Sequence, residues 1–143
     1  CHNNIPRATP LEFFNEGLTL YIFAEPGGKI TNIKRNLRVS AAIYQQPLNH
    51  SALQRSLQIF GMAELINMKN NPRVFRAKAK KWNLYVCTER LAKIDRKGLT
   101  EKQFTAKVES ALAAFHFIKI IPHRIILRQY HPDFSMPKYV WQR

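Results

Sequence analysis

The stretch "GGKITNIKRNLRVSAAIY", residues 27–44, joins a glycine turn to a lysine, a short amphipathic segment, a basic pair and an apolar β-branched run. Ile30, Ile33 and Leu37 fall at helical spacing, with Lys34 and Arg35 directed elsewhere, which predicts a short amphipathic helix from Lys29 to Asn36. Val39 to Tyr44 resumes as a strand. Upstream, the apolar runs Pro6–Phe14 and Leu18–Ala24 flank Asn15-Glu16-Gly17 and predict a hairpin, which Glu25-Pro26-Gly27-Gly28 ends. Positive charge is thus concentrated in a turn and helix between two strands.

Downstream, Ser56–Ile66 carries Leu57, Ile59 and Met62 among polar alternates and predicts a strand with Gly61 at a bulge. Asn71 and Pro72 suit the cap and first position of a helix that buries Val74, Phe75 and Ala79 and fades near Trp82. Thr100-Glu101-Lys102-Gln103 has the capping-box pattern, and Phe104, Val108, Ala111, Leu112 and Phe115 supply the apolar side of a second helix. Phe117–Ile121, Pro122 and Arg124–Gln129 predict a last strand or pair of strands, with Pro122 forcing an edge, a bend or a bulge. Early strands and late helices predict an α+β fold with a curved, mainly antiparallel sheet of five or six strands that closes on itself to protect its edges.

The chain has 143 residues, a length that suits one domain spanning 1–143. It starts at Cys1 rather than Met, which leaves room for missing upstream residues and with them a first strand. Lys and Arg number 23 against 9 Asp and Glu, a formal charge of +14, which favours an anionic partner. The 45% hydrophobic and 11% aromatic content excludes a disordered basic tail. Two cysteines, Cys1 and Cys87, are too few for a disulfide scaffold, and Cys87 is expected to be a buried structural thiol. Without a long apolar run or a signal-peptide pattern, a cytoplasmic protein outside the membrane is expected.

No catalytic constellation emerges from spacing. The serines lie in no G-x-S-x-G context, the five histidines are scattered, and Gly27-Gly28 belongs to neither a P-loop nor a G-x-G-x-x-G turn. The cations are more informative by position. Arg7 lies in a predicted strand, Lys29 follows a glycine turn and Arg55 opens another strand. Each is a solvated surface charge or part of a phosphate site, which needs several cations and backbone donors to converge.

In order, "RATPLEF", "LTLYIF", "EPGGK", "ITNIKR", "NLRVSAAIY" and "QRSLQIFGMAELI" resemble the pyridoxamine 5'-phosphate oxidase-like split-barrel family. The resemblance covers about the first half of the chain; "FHFIKIIPHRIILRQY" is similar to the last barrel strands and "YVWQR" to the closing segment. It implies a mainly antiparallel six-stranded split β-barrel with flanking helices, binding flavin mononucleotide (FMN) in a homodimer with the cofactor at the subunit interface. Lys29 would then contact the FMN phosphate. Arg7, Ala8 and Thr9 would lie along the flavin, with Ile22 and Phe23 at the end of the next strand. Arg55 and Ser56 would approach from the neighbouring subunit, and Trp141 belongs to the closing segment.

Glu12 stands where a basic residue is common, Phe23 where Thr or Ser is common, and Leu37 where proline is usual. No R-x-x-D-S segment or C-terminal R-x-H is found, so oxidation of vitamin B6 is not expected. The resemblance therefore implies an FMN-dependent oxidoreductase acting on a small molecule or electron donor. The alternative is a non-enzymatic split barrel holding haem or another anionic cofactor, with His116 or His131 as axial ligand. The basic runs Arg73–Lys81 and Arg90–Lys97 raise nucleic acid as a third reading, but no recognition motif accompanies them and solvated helix faces are expected.

Overall fold

The computed structural model describes residues 8–45, 53–93 and 98–143. Its spine is β5 (His116–Tyr130), which pairs antiparallel with β4 (Gln54–Ile66) along its whole length. On its other side β5 is shared between β2 (Thr19–Ala24), next to residues 116–120, and β6 (Lys138–Gln142), next to residues 124–128. β1 (Phe14–Glu16) extends the sheet beyond β2, and β3 (Arg38–Tyr44) extends it beyond β4. The order β1-β2-β5-β4-β3, with β6 on β5, makes a six-stranded antiparallel sheet. Four helices complete the α+β architecture: α1 (Gly28–Arg35), α2 (Pro72–Lys81), α3 (Leu84–Lys93) and α4 (Glu101–Ala114).

Alternation along the strands separates two cores. Tyr21, Ile66 and Phe117 point to the face covered by α2, α3 and α4, where they meet Phe75, Ala79, Leu84, Phe104, Val108 and Leu112. Leu20, Ala24, Ile59, Ala63, Ile118 and Ile120 occupy the other face, against Ile30 and Ile33 of α1. The helices on the first face start where local chemistry dictates. The Asn71 side chain accepts from the Val74 N–H, with Pro72 behind it, and Thr100 and Gln103 form a reciprocal capping box.

Several expectations meet a different outcome. Of the first apolar run only Phe14 pairs with β2; Asn15 and Glu16, expected in the turn, continue β1, and the turn falls at Gly17 and Leu18, while Pro6 and Arg7 lie outside the described residues. The final apolar run is one strand rather than a pair. Pro122 is accommodated inside it because His123 bulges out between the pairs Phe60–Arg124 and Gly61–Pro122. The bulged carbonyl of His123 accepts from the Arg143 N–H at 3.0 Å. α3 and β6 were not expected as separate elements. Among the described residues the end strands β1 and β3 do not pair with each other, so the sheet stays split rather than closing through hydrogen bonds. The Cys87 side chain and the last four residues of the second basic run, 94–97, lie outside the described residues.

Gly61 is the expected bulge glycine, and close packing explains it. A Cβ there would lie 2.6 Å from the Ile121 carbonyl oxygen and 3.0 Å from Ile120 Cγ2, and backbone cannot yield as a flexible side chain can. Gly61→Ala is expected to lower stability by about 1–3 kcal/mol, the usual cost of overpacking, as measured by urea unfolding.

Glu16 fastens the hairpin to α2 by ion pairs to Lys78 and to Lys81, the latter at 2.6 Å. Lys78 also lies 4.7 Å from the ring centre of Tyr21 and 5.4 Å from that of Trp82. The hydrogen bond from Lys78, then that from Lys81, pulls the Glu16 carboxyl from 4.5 down to about 2. A depressed carboxyl contributes stability that is complete above its unfolded value and is lost as pH falls through the folded one. Melting temperature followed from pH 4.5 to 2 is therefore expected to fall less steeply in Glu16→Gln than in the parent.

Candidate functional site

On the α1 side of the sheet a cleft of about 770 Å³ opens between α1, β3 and the segment from Ala8 to Phe13. Its apolar floor combines Leu20 and Ile22 of β2 with Ile118 and Ile120 of β5. Val39, Ala41 and Ile43 of β3 line it as well. β2 and β3 are separated in the sheet by β5 and β4, a flat distance of roughly 14 Å at normal strand spacing. That both border one cleft shows that the sheet curls around it.

α1 supplies the polar wall. Lys29, Asn32, Ile33 and Asn36 line the cleft at the i, i+3, i+4, i+7 spacing of one helix side. Gly27, at φ 152°, takes a conformation open to glycine and turns the chain into the helix, its carbonyl accepting from the N–H groups of Ile30 and Thr31. The first-turn amides of an α-helix have no partner within it and carry partial positive charge, and half-buried Lys29 sits in that turn. Arg38, at the start of β3, borders the cleft at the edge of that strand, its side chain alternating to the face opposite Val39, Ala41 and Ile43. Among the described lining residues there is no carboxylate.

The residues singled out from the sequence are partly gathered here. Ala8, Thr9, Ile22 and Lys29 all line the cleft. Arg7 lies outside the described residues. Phe23 does not join its neighbour Ile22, because side chains alternate along β2. It faces the helices, stacked on Phe115 with ring centres 4.4 Å apart. Arg55 and Ser56 lie near the start of β4, opposite Gln129 and Arg128, and are not among the residues lining this cleft. Trp141 pairs with Ile125 on β6 and is 39% exposed, also away from the cleft. Asn32, Asn36 and Arg38 were not expected. The signal for the two asparagines was their three- and seven-residue spacing from Lys29 on a predicted helix.

The histidines raised for haem lie elsewhere. His116 opens β5 opposite Ala24, with a buried Nδ1 that has no hydrogen-bond partner among the described residues, and burial, followed by the nearby charge of Lys34, pushes its pKa down. His131 stands in the turn after β5, its N–H donating to the Ser135 carbonyl at 3.0 Å. Neither is among the residues lining the cleft.

Solved structures share this arrangement of strands, helices and split sheet. A FAD-binding protein from Mesorhizobium loti superposes with a TM-score of 0.58 at 19% identity, covering 90% of this chain and 78% of that one. The fold is that of the pyridoxamine 5'-phosphate oxidase-like split barrel. A Listeria innocua protein provisionally named a pyridoxamine 5'-phosphate oxidase matches this split barrel at TM-score 0.52 and 24% identity, over 87% of this chain and 80% of that one. A pyridoxamine 5'-phosphate oxidase-related, FMN-binding protein from Nostoc punctiforme matches it at TM-score 0.50 and 10% identity, over 93% and 79%. No family model and no curated protein matches the chain. Among the described residues no helix of this split barrel is long and apolar enough to cross a membrane.

Proposed function

We propose that this split barrel binds FMN in the cleft and is a flavin-dependent oxidoreductase acting on a small molecule. The observation that carries the reading is the pairing, in one cleft, of a lysine at a helix start with an apolar floor and without a described carboxylate. A flavin mononucleotide has the complementary parts: a phosphate dianion, a hydroxylated chain and a planar ring. Two of the solved neighbours are named as FAD-binding and FMN-binding, which supports a flavin as the ligand class.

In this reading Lys29 and the first amides of α1 hold the phosphate. Asn32 and Asn36 offer amide donors and acceptors to the hydroxylated chain. Leu20, Ile22, Ile118 and Ile120 bury one face of the ring and exclude water from it. Bound flavin supplies hydride or single-electron transfer; the chain's own part is binding, orientation and charge balance.

The protein acts as a homodimer in this reading. Tyr139 and Val140 on β6 are 54% and 49% exposed, close to Trp141, and offer apolar surface to a second copy. Arg55 and Ser56, lying away from their own chain's cleft, would serve the partner's. Two measurements test the proposal. Purified protein mixed with FMN and freed of excess is expected to retain the visible flavin bands. Light scattering at micromolar concentration is expected to give twice the chain mass. A colourless protein refutes the cofactor, and a monomer refutes the shared site.

A further inference from the structure

We propose that His116 makes the docking of α1 acid-sensitive: its protonation loosens the helix, and with it the cleft wall formed by Lys29, Asn32 and Asn36. His116 opens β5 directly opposite Ala24, on the sheet face that packs against α1. Ala24 and Ile118, its neighbours on that face, are buried with Ile30 and Ile33 in one cluster. Those two isoleucines are the residues that α1 buries, so a narrow apolar seam holds the helix to the sheet.

The ring is set in its neutral form. One nitrogen donates to the Ala114 carbonyl at the end of α4, and the buried Nδ1 has no hydrogen-bond partner among the described residues. A neutral imidazole donates from one nitrogen, an imidazolium from both. Protonation therefore creates an N–H at Nδ1 with no described acceptor, and an unpaired buried donor is costly. It also sets a positive charge near that of Lys34, in the last turn of α1. Around the ring α1 supplies this like charge, α4 the Ala114 carbonyl and β2 the uncharged Ala24, and no carboxylate among the described residues acts on it. Burial first and Lys34 second hold the pKa below its ordinary 6.5. Detachment of α1 relieves both, so the detached state takes up the proton more readily. Docking is complete above about 6.5 and weakens as pH falls below it. Because Lys29 lines the cleft from the other end of α1, acid would release an anion held there; that consequence rests on the phosphate reading, whereas the loosening does not.

The test is amide hydrogen exchange over Ile30–Arg35, read by mass spectrometry at about pH 7.5 and 5.5, on either side of 6.5, with each rate divided by that of unstructured chain at the same pH. Protection there is expected to fall about fivefold at the lower pH, the scale on which one unpaired buried donor weakens an association. A peptide from the centre of β4 is expected to change by less than about twofold, because only α1 opens. His116→Gln keeps an amide that can donate to the Ala114 carbonyl but has no proton to take up, and it is expected to hold α1 equally at both pH values. Equal protection in the parent at both pH values, an equal fall in β4, or a fall that persists in His116→Gln would overturn the proposal. Should that variant not fold, NMR titration of the His116 ring in the parent decides, with a midpoint below 6.5 expected and one at or above it overturning the proposal. FMN affinity is expected to drop with pH more steeply in the parent than in His116→Gln; equal slopes with α1 still loosening would refute the phosphate reading alone.

Discussion

Lys29→Ala is expected to weaken FMN binding by about 10- to 100-fold while leaving riboflavin binding within about twofold of the parent. The size follows from the charge-assisted bonds lost, about 1.5–3 kcal/mol for hydrogen bonds to charged groups, which converts at about 1.4 kcal/mol per decade. Riboflavin lacks the phosphate and so does not use the lysine. The comparison separates loss of a phosphate ligand from general damage to the cleft. Lys29 is half-buried and no ion pair among the described residues engages it, so its removal leaves no charge stranded in the fold. Fluorescence titration of both flavins measures the two affinities. Equal losses would place the phosphate away from α1.

Phe117→Ala is expected to cost about 3–5 kcal/mol, a large share of the roughly 5–15 kcal/mol that holds a typical domain together. Phe117 is fully buried, and its ring centre lies 5.2 Å from those of Phe23 and Phe75 and 5.6 Å from that of Trp82. These rings come from β2, α2 and the end of α2, so the void would open where the helices meet the sheet. Three rigid aromatic neighbours collapse poorly into such a void. Urea unfolding should show a lower midpoint with an unchanged slope. Phe134→Ala, at a residue 90% exposed, is the control and is expected to change stability by less than about 0.5 kcal/mol.

Elements whose ends are written in local chemistry were legible in the sequence. α2 and α4 start at their caps, α1 follows its glycine turn, and Gly61 marks its bulge. α3 was not legible because it follows α2 after only Trp82 and Asn83, the latter at φ 57°, so the break between the two helices is too short to show in the apolar pattern and no proline announces it. β6 was missed because all of its residues are exposed, so no alternation betrays it. Pro122 suggested a break in the last strand, and only the register across β4 shows how a bulge absorbs it. Lys29, Ile22, Ala8 and Thr9, singled out from the sequence, all line the cleft. Arg38 could not be recognised from sequence, because its place at the edge of the cleft depends on how β3 returns past α1.

The long ladder between β4 and β5 determines how the cleft comes into being. It joins Gln54 to Tyr130 and Ile66 to Phe117, so three helices must be threaded between its two strands before it can zip. Pairings this distant in sequence slow folding, because chain entropy is lost before contacts reward it. The cleft floor joins β2 to that same late strand, so an emerging nascent chain has no cleft until residues near 120 have left the ribosome. A ligand that spans this floor and α1 bridges elements near the beginning of the sequence and near its end. Its binding is thereby coupled to opening of the whole domain rather than to the fraying of one loop.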